Sequence, residues 1–387
     1  MTKPRLRLQW AVGLLGVVLA ALIAGCQLPQ ISAEERLFLP VSVDFIGAYT
    51  LPKQDFEGTP VGGISAIAYD TQRDRLYALS DDGGRQAPPR FYTFRLNGLP
   101  AQLESVTVES VTFLTDGDGA SFATDSLDLE GMALSPRNTL VIASEGVAAS
   151  GAPPRLLEFD RETGQLLSEF RIPNRYLPRD DPATDDTPSG VQSNLGFESL
   201  TTSGSPSRST WVEPFRLFMA TEGPLLQDLD DDLAIAPKNR LLHYLIGENQ
   251  STLISEHVYP LDLAPTGALV NGLSEILTID RGGHFLALER AFGLKGFAIK
   301  LYQIATGGAT DTSTVTTLKG ELNGIVPIRK RLVLDLSELD IPLDNLESMT
   351  LGQPTQDGAQ SLLLVSDDNF DPDQATQFLS FRLRGTS

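Results

Sequence analysis

A short apolar run, entered through a small or polar residue and usually a carboxylate, recurs along the chain. "GISAIAYD" begins at Gly63, "DLEGMALS" at Asp128, "GFESLTTS" at Gly196, "GLSEILTI" at Gly272 and "NLESMTLG" at Asn345. Aligned on their apolar second residues (Ile64, Leu129, Phe197, Leu273, Leu346), the copies lie 65, 68, 76 and 73 residues apart. A second, nearly continuous apolar run follows each copy: "RLYALSDD", "TLVIASEG", "RLFMATEG", "HFLALERA" and "SLLLVSDD". In every copy an acid stands where that run stops. A third run alternates polar and apolar residues, starting at Arg90, Arg155, Arg240, Phe297 and Gln377. A fourth is clear in the first three copies ("SVTVESVTFL", "LLSEFRI", "TLISEHVYPL"), blurred in the fourth and missing after the fifth.

Continuous apolar runs read as strands covered on both faces, and alternating runs as strands with one face in water. Four such strands per repeat is the plan of a β-propeller blade. The pattern therefore predicts an all-β β-propeller of five four-stranded blades. The segment 307–343 is long enough to hide a degenerate sixth. "LPVSVDFIGAYTL" (39–51) precedes the first repeat and is expected to supply the strand missing from the last blade, closing the ring so that no sheet edge is left bare. The repeat exceeds the usual ~40–45 residues of a blade. The excess is expected in loops or lids at 174–193 and 224–236, both rich in Pro and Asp.

The N-terminus carries a different pattern. Lys3, Arg5 and Arg7 precede an apolar stretch from Trp10 to Gly25, which is too short to span a bilayer and has the layout of a secretory signal. It ends in "IAGC", which resembles a lipobox, so residues 1–25 read as a lipoprotein signal peptide and Cys26 as the lipidated first residue. Residues 26–40 then form a linker and 41–387 the propeller domain. Cys26 is the only cysteine among 387 residues, which rules out an intrachain disulfide. The expected setting is an exported protein held at a membrane, at the cell surface or in the periplasm, through acyl chains on Cys26.

Without the three signal-peptide bases, 27 Lys and Arg face 50 Asp and Glu. A nucleic acid partner is excluded on that balance, because the phosphate backbone would be repelled. The acidity suits an exported soluble monomer, and equally a domain that collects cations.

Strand pairing gives the recurring acids a shared location. In an antiparallel hairpin the start of one strand lies beside the end of the next. Glu130 is thus expected near Glu145, Glu198 near Glu222, Glu275 near Glu289, and Glu347 near Asp367 or Asp368. The first copy has Ser65 in place of its leading acid but keeps Asp81 and Asp82. In the fourth, Ser274 holds the aligned position and Glu275 is displaced by one. The innermost strands line the channel, so these residues should ring one of its mouths. Carboxylates crowded there require raised pKa values or bound cations, and all-oxygen ligation suits Ca²⁺. The competing reading makes the same acids acceptors for backbone N–H groups of the next blade, holding the ring together.

The motifs "GGISAIAYD", "DLEGMALS", "GFESLTTS", "FLALERAFG" and "NLESMTLG", in this order, resemble the phytase-like family, the "esterase-like activity of phytase" proteins. The resemblance runs from about Val43 to Leu383. Similarity to calcium-dependent propeller phytases implies a Ca²⁺-dependent phosphoester hydrolase acting on a small anionic or phosphorylated substrate. The implied metal ligands are Asp81, Glu130, Glu145, Glu198, Glu222, Glu289, Glu347 and Asp367. For the substrate anion the implied cation is Arg290, with Arg85 and Lys295 next; a salt bridge from Arg290 to a funnel acid is the competing role. The chain lacks the dense Lys/Arg lining a highly charged polyanion would need, which favours simpler phosphoesters over phytate. The alternative function is a non-catalytic binding propeller with structural Ca²⁺ or inter-blade carboxylates. Other hydrolase chemistry finds no support: there is no G-x-S-x-G elbow, and His243, His257 and His284 have no metal-ligand spacing.

Overall fold

The five repeats become five antiparallel sheets of four strands each. The computed structural model describes residues 35–179, 188–203, 213–232, 234–248 and 250–386. Blade 1 runs Ile64–Asp70, Arg75–Ser80, Arg90–Asn97 and Ser105–Phe113 from the channel outward. Blade 2 is Leu129–Leu134, Thr139–Ser144, Arg155–Asp160 and Leu166–Phe170; blade 3 is Phe197–Ser203, Phe215–Thr221, Lys238–Ile246 and Ser251–Pro260. Blade 4 is Ala268–Thr278, His284–Gly293, Gly296–Ala305 and Arg329–Asp335. Blade 5 takes three strands from the end of the chain, Leu346–Pro354, Gln360–Ser366 and Gln377–Arg384, and its outermost strand, Ser42–Thr50, from the start. The N-terminal strand closes the ring as its sequence pattern predicts, pairing Ser42 with Arg384 and Thr50 with Gln377.

There is no sixth blade among the described residues. The segment 307–343 instead supplies the outer strand of blade 4, Arg329–Asp335, after a long connection without strands. That connection packs on blade 3, where the Thr312 N–H donates to the Glu256 carbonyl (2.7 Å) and the Ile328 N–H to that of Val258 (2.9 Å). The two Asp/Pro-rich insertions are anchored where they are described; residues 180–187 of the first lie outside the described residues. Tyr176 is buried 5.0 Å from the Phe197 ring. Asp228, fully buried, grips the Arg240 guanidinium through two bonds of 2.6 and 2.9 Å. Arg240 also meets Glu256, so a buried ion cluster ties the 224–236 insertion and the long connection to blade 3. Removing either partner would strand a buried charge.

Five hydrophobic clusters, one in each gap between adjacent blades, form the core. Leu129, Met132 and Leu157 of blade 2 meet Leu79 and Phe91 of blade 1, for example, while Phe378 of blade 5 meets Ile67, Ala78 and Phe94 of blade 1. The closing gap is filled like the others, as a ring requires.

The innermost strands share one irregularity. In every blade the pairing with the second strand slips by one residue just after the motif's apolar position: at Ile64/Ala66, Leu129/Gly131, Phe197/Ser199, Leu273/Glu275 and Leu346/Ser348. The extra residues are Ser65, Glu130, Glu198, Ser274 and Glu347. A β-bulge re-aims a side chain that regular pleating would send to the other face. The recurring acid of the sequence motif is thus the bulged residue. Glu275, one place further on, leaves the mouth for the channel waist. Its carboxylate accepts N–H bonds from Leu200 of blade 3 (3.2 Å) and Ile276 of blade 4 (2.9 Å), and from Met349 of blade 5. Burial pushes its pKa well up, and those N–H groups pull it back in part. Glu275→Leu would leave these donors unpaired and is expected to cost about 2–4 kcal/mol; Glu275→Gln, which keeps an acceptor, should cost under about half of that. Urea unfolding of the two variants distinguishes these outcomes.

Candidate functional site

The register of the first two strands assigns each blade three positions at the channel mouth. The bulge gives Ser65, Glu130, Glu198, Ser274 and Glu347. The residues that pair with the motif's apolar position are Ser80, Ser144, Thr221, Glu289 and Ser366, and the next residue in each turns into the mouth: Asp81, Glu145, Glu222, Arg290 and Asp367. Arg290 therefore holds the place that an acid holds in the other four blades. The residue entering the motif is Gly63, Asp128, Gly196, Gly272 and Asn345. The acids among these residues, Glu289 apart, line with Arg290 a cavity of about 590 Å³ whose wall carries nine carboxylates, Asp82 included, and two bases, Arg290 and Arg85.

Several of the acids tie one blade to the next. Asp81 accepts the Leu129 N–H (3.2 Å), Glu145 that of Gly196 (2.8 Å) and Asp368 that of Gly63 (2.8 Å). This explains the glycines: a Cβ on Gly196 would lie 2.6 Å from the Glu145 Cβ, and one on Gly272 would run into Glu222. Where the entering residue is not glycine, it suits its neighbour chemically. Asn345 accepts from Arg290 and donates to Glu347 (2.8 Å), while Asp128 faces Asp81. Arg290 spans the cavity floor, 3.0 Å from Glu222 and 3.2 Å from Glu347.

The same cavity wall carries a cluster of three acids, with Arg85 offsetting part of the Asp128 charge. Asp81, Asp128 and Glu130 each offer a carboxylate oxygen within 4.8 Å of the others. Three oxygens so placed fit a hard divalent cation. Burial, and then the neighbouring Asp128 charge, pushes Asp81 from 3.8 up to about 8. Burial lifts Asp128 too. Glu145 rises to about 8, mainly by burial, although the Gly196 N–H opposes the rise. Glu222 stops at about 7 because Arg290 offsets much of its burial. Glu130, Glu198 and Asp367 are driven well above the ordinary range by burial and mutual repulsion. Glu347, buried as deeply, is raised less because Arg290 and Asn345 hold its charge. Burial works against the Arg290 charge, yet the surrounding carboxylates outweigh it and hold its pKa above the usual arginine value.

A family model for a phytase-like domain, "Esterase-like activity of phytase", matches residues 59–370. The chain belongs to this family. No curated relative matches it. Among solved structures, an endo-arabinase from Bacteroides thetaiotaomicron is similar at 11% identity over 83% of this chain and 94% of that one, with a TM-score of 0.40. A GH62 hydrolase in complex with xylotriose is 9% identical over 89% and 97% of the two chains (TM-score 0.41). An N-acetylgalactosamine deacetylase from F. plautii is 8% identical over 88% and 95% (TM-score 0.40).

Of the residues expected at the mouth of this phytase-like propeller, Asp81, Glu130, Glu145, Glu198, Glu222, Glu347, Asp367, Arg290 and Arg85 line the cavity. Glu289 does not. It sits one place before the turn into the mouth, where the other blades carry Ser or Thr. There it accepts from the Tyr259 hydroxyl (2.6 Å) and meets Lys330. The motifs "LSD", "ASE", "ATE" and "VSD" against "LER" carried that signal, since the hydroxyl residue aligns with Glu289 and the acid with Arg290. Lys295 stands exposed on the hairpin between Gly293 and Gly296, away from the cavity wall. Arg85 reaches the rim, where it pairs with Asp125 at 2.8 Å. Asp82 is engaged with the buried Arg90 (2.8 Å). Asp128, Asn345 and Phe370 were not anticipated; the first two are the non-glycine exceptions at the entering position.

The raised acids set a pH dependence for the metal-free phytase-like propeller. Asp81, Glu145 and Glu222 bind protons more tightly when folded than when unfolded. Between their ordinary values of 3.8–4.5 and folded values of about 7–8, the folded chain carries the extra protons, so stability falls as pH rises. Thermal unfolding in chelator at pH 5 to 8.5 should show a melting temperature that declines across this range. An increase would contradict the site electrostatics.

Proposed function

We propose that the protein is an exported, Ca²⁺-dependent phosphoester hydrolase acting at the acidic funnel. The observation that carries this reading is that the Asp81–Asp128–Glu130 cluster and a cation, Arg290, line one cavity. The cluster would hold Ca²⁺, which when bound supplies neutralisation of phosphate oxygens and a lowered pKa for an attacking water. Arg290, fixed by Glu222, Glu347 and Asn345, is oriented to receive an anion without rearranging. Glu222 and Glu145, at about 7 and 8, are in the range where a carboxyl group can exchange protons at neutral pH. With two arginines against nine carboxylates on the wall, the funnel suits a simple phosphoester better than a polyphosphorylated one.

Export and membrane attachment follow from the signal-like segment and Cys26, which lie outside the described residues. Cys26→Ser is expected to abolish incorporation of labelled fatty acid and release the protein from the membrane fraction. The second reading, a binding propeller, is favoured by the inter-blade bonds of Asp81, Glu145 and Asp368, which give these acids a structural role of their own.

Phosphate release from a panel of monoesters and diesters decides between them. The expected result is turnover that needs Ca²⁺, is lost on chelation, and falls at least about 100-fold in Asp128→Asn and in Glu130→Gln. Neither side chain donates to or accepts from the neighbouring blade's backbone among the described bonds, so both variants should remain folded. A folded, calcium-binding protein without turnover on any ester would leave the binding reading standing.

A further inference from the structure

The funnel wall is polar except at one arc of its rim. Phe370, in the loop after the second strand of blade 5, and Val147, Ala148 and Ala149, in the corresponding loop of blade 2, bring apolar surface to the cavity on either side of blade 1. Phe370 is held there against its own backbone preference. Asn369 and Phe370 have φ of 46° and 53°, a left-handed conformation that is a true outlier for a bulky residue. Such strain persists only where the surroundings over-determine it. Here Asp367 accepts the Asn369 N–H (2.8 Å) and Asp368 that of Phe370 (3.1 Å). The Phe370 ring edge occupies the space where Gly63 lacks a side chain, so Gly63, at φ 59°, is fixed from two directions. The fully buried Arg90 guanidinium lies 5.9 Å from the ring centroid, locked in turn by Asp82 and the Tyr92 hydroxyl (2.8 Å each). One side of the ring is thus supported by a rigid cation while the half-exposed remainder faces the funnel.

We propose that Phe370 is a ring-binding platform that selects anions carrying a flat aromatic group, the charged head entering the carboxylate–arginine floor and the ring stacking on Phe370 beside Val147–Ala149. The proposal rests on the funnel being the ligand site and names its substrate class as aryl rather than alkyl phosphoesters. A fixed aromatic surface contributes most to a ligand that presents its own flat face.

The test is calorimetric binding, with Ca²⁺ present, of phenyl phosphate and methyl phosphate, and of benzoate and acetate, to the wild type, Phe370→Gly and Phe370→Leu. Glycine accepts positive φ, so in Phe370→Gly the relieved strain offsets part of the packing lost at Gly63, and circular dichroism checks that both variants are folded before binding is measured. The wild type is expected to favour the aryl member of each pair by about three- to tenfold, and Phe370→Gly to bind both members nearly equally. Phe370→Leu should retain part of the preference. A wild-type ratio near one, or a ratio that survives in Phe370→Gly, overturns the platform. Phosphate turnover with a ratio near one overturns the platform alone; an aryl preference without turnover overturns the hydrolase reading alone; no binding of any of the four overturns both.

Discussion

Carboxylates crowded around a single buried guanidinium impose the constraint on which this propeller depends. Glu222 and Glu347 flank Arg290 directly, and Glu130 and Glu198 lie within reach of its field. One positive charge cannot neutralise the rest. The remaining acids, whose pKa values burial and mutual repulsion raise, must either hold protons or share a cation. The ring is nonetheless built so that the acids cannot retreat, because they sit on bulges and at strand ends whose register is set by the hydrophobic pattern. The same side chains that strain the mouth electrostatically also bond the blades together.

Asymmetry enters a nearly five-fold frame through a few substitutions. In four blades an acid directly follows the residue that pairs with the motif's apolar position, and in blade 4 Arg290 takes that place. Three blades enter the motif through glycine: the preceding blade's acid occupies the space at Gly196 and Gly272, and the Phe370 ring occupies it at Gly63. The exceptions are Asp128, beside Asp81, and Asn345, beside Arg290. These changes create an oxygen-rich pole between blades 1 and 2 and a basic pole between blades 4 and 5. The chemistry proposed for the funnel needs both, whereas a purely structural ring would need neither.

The blades, their count and the closing role of Ser42–Thr50 were legible because the inner strands are covered on both faces and carry uninterrupted apolar runs. The funnel acids were legible because they recur at one offset from those runs. Glu289 was misplaced because the fourth copy puts an acid where the others have Ser or Thr, and only strict register separates the two positions. Asp128 went unread because it precedes the strand Leu129–Leu134 at a position where the other copies carry Gly or Asn, so no recurring acid marks it. Phe370 depends on contacts with Gly63 and Arg90, some 300 residues away in sequence, and no local pattern announces it. The outer strand of blade 4 was blurred because a long insertion separates it from its partner.

The most direct test of the central claim is the number of protons released when Ca²⁺ binds near pH 7, measured by titration calorimetry in buffers of different ionisation enthalpy. If the crowded funnel acids hold protons until a cation replaces them, each Ca²⁺ should displace about one proton or more, with the release shrinking above pH 8 as Asp81 and Glu145 ionise unaided. Calcium binding without proton release, or no binding at all, would contradict the account.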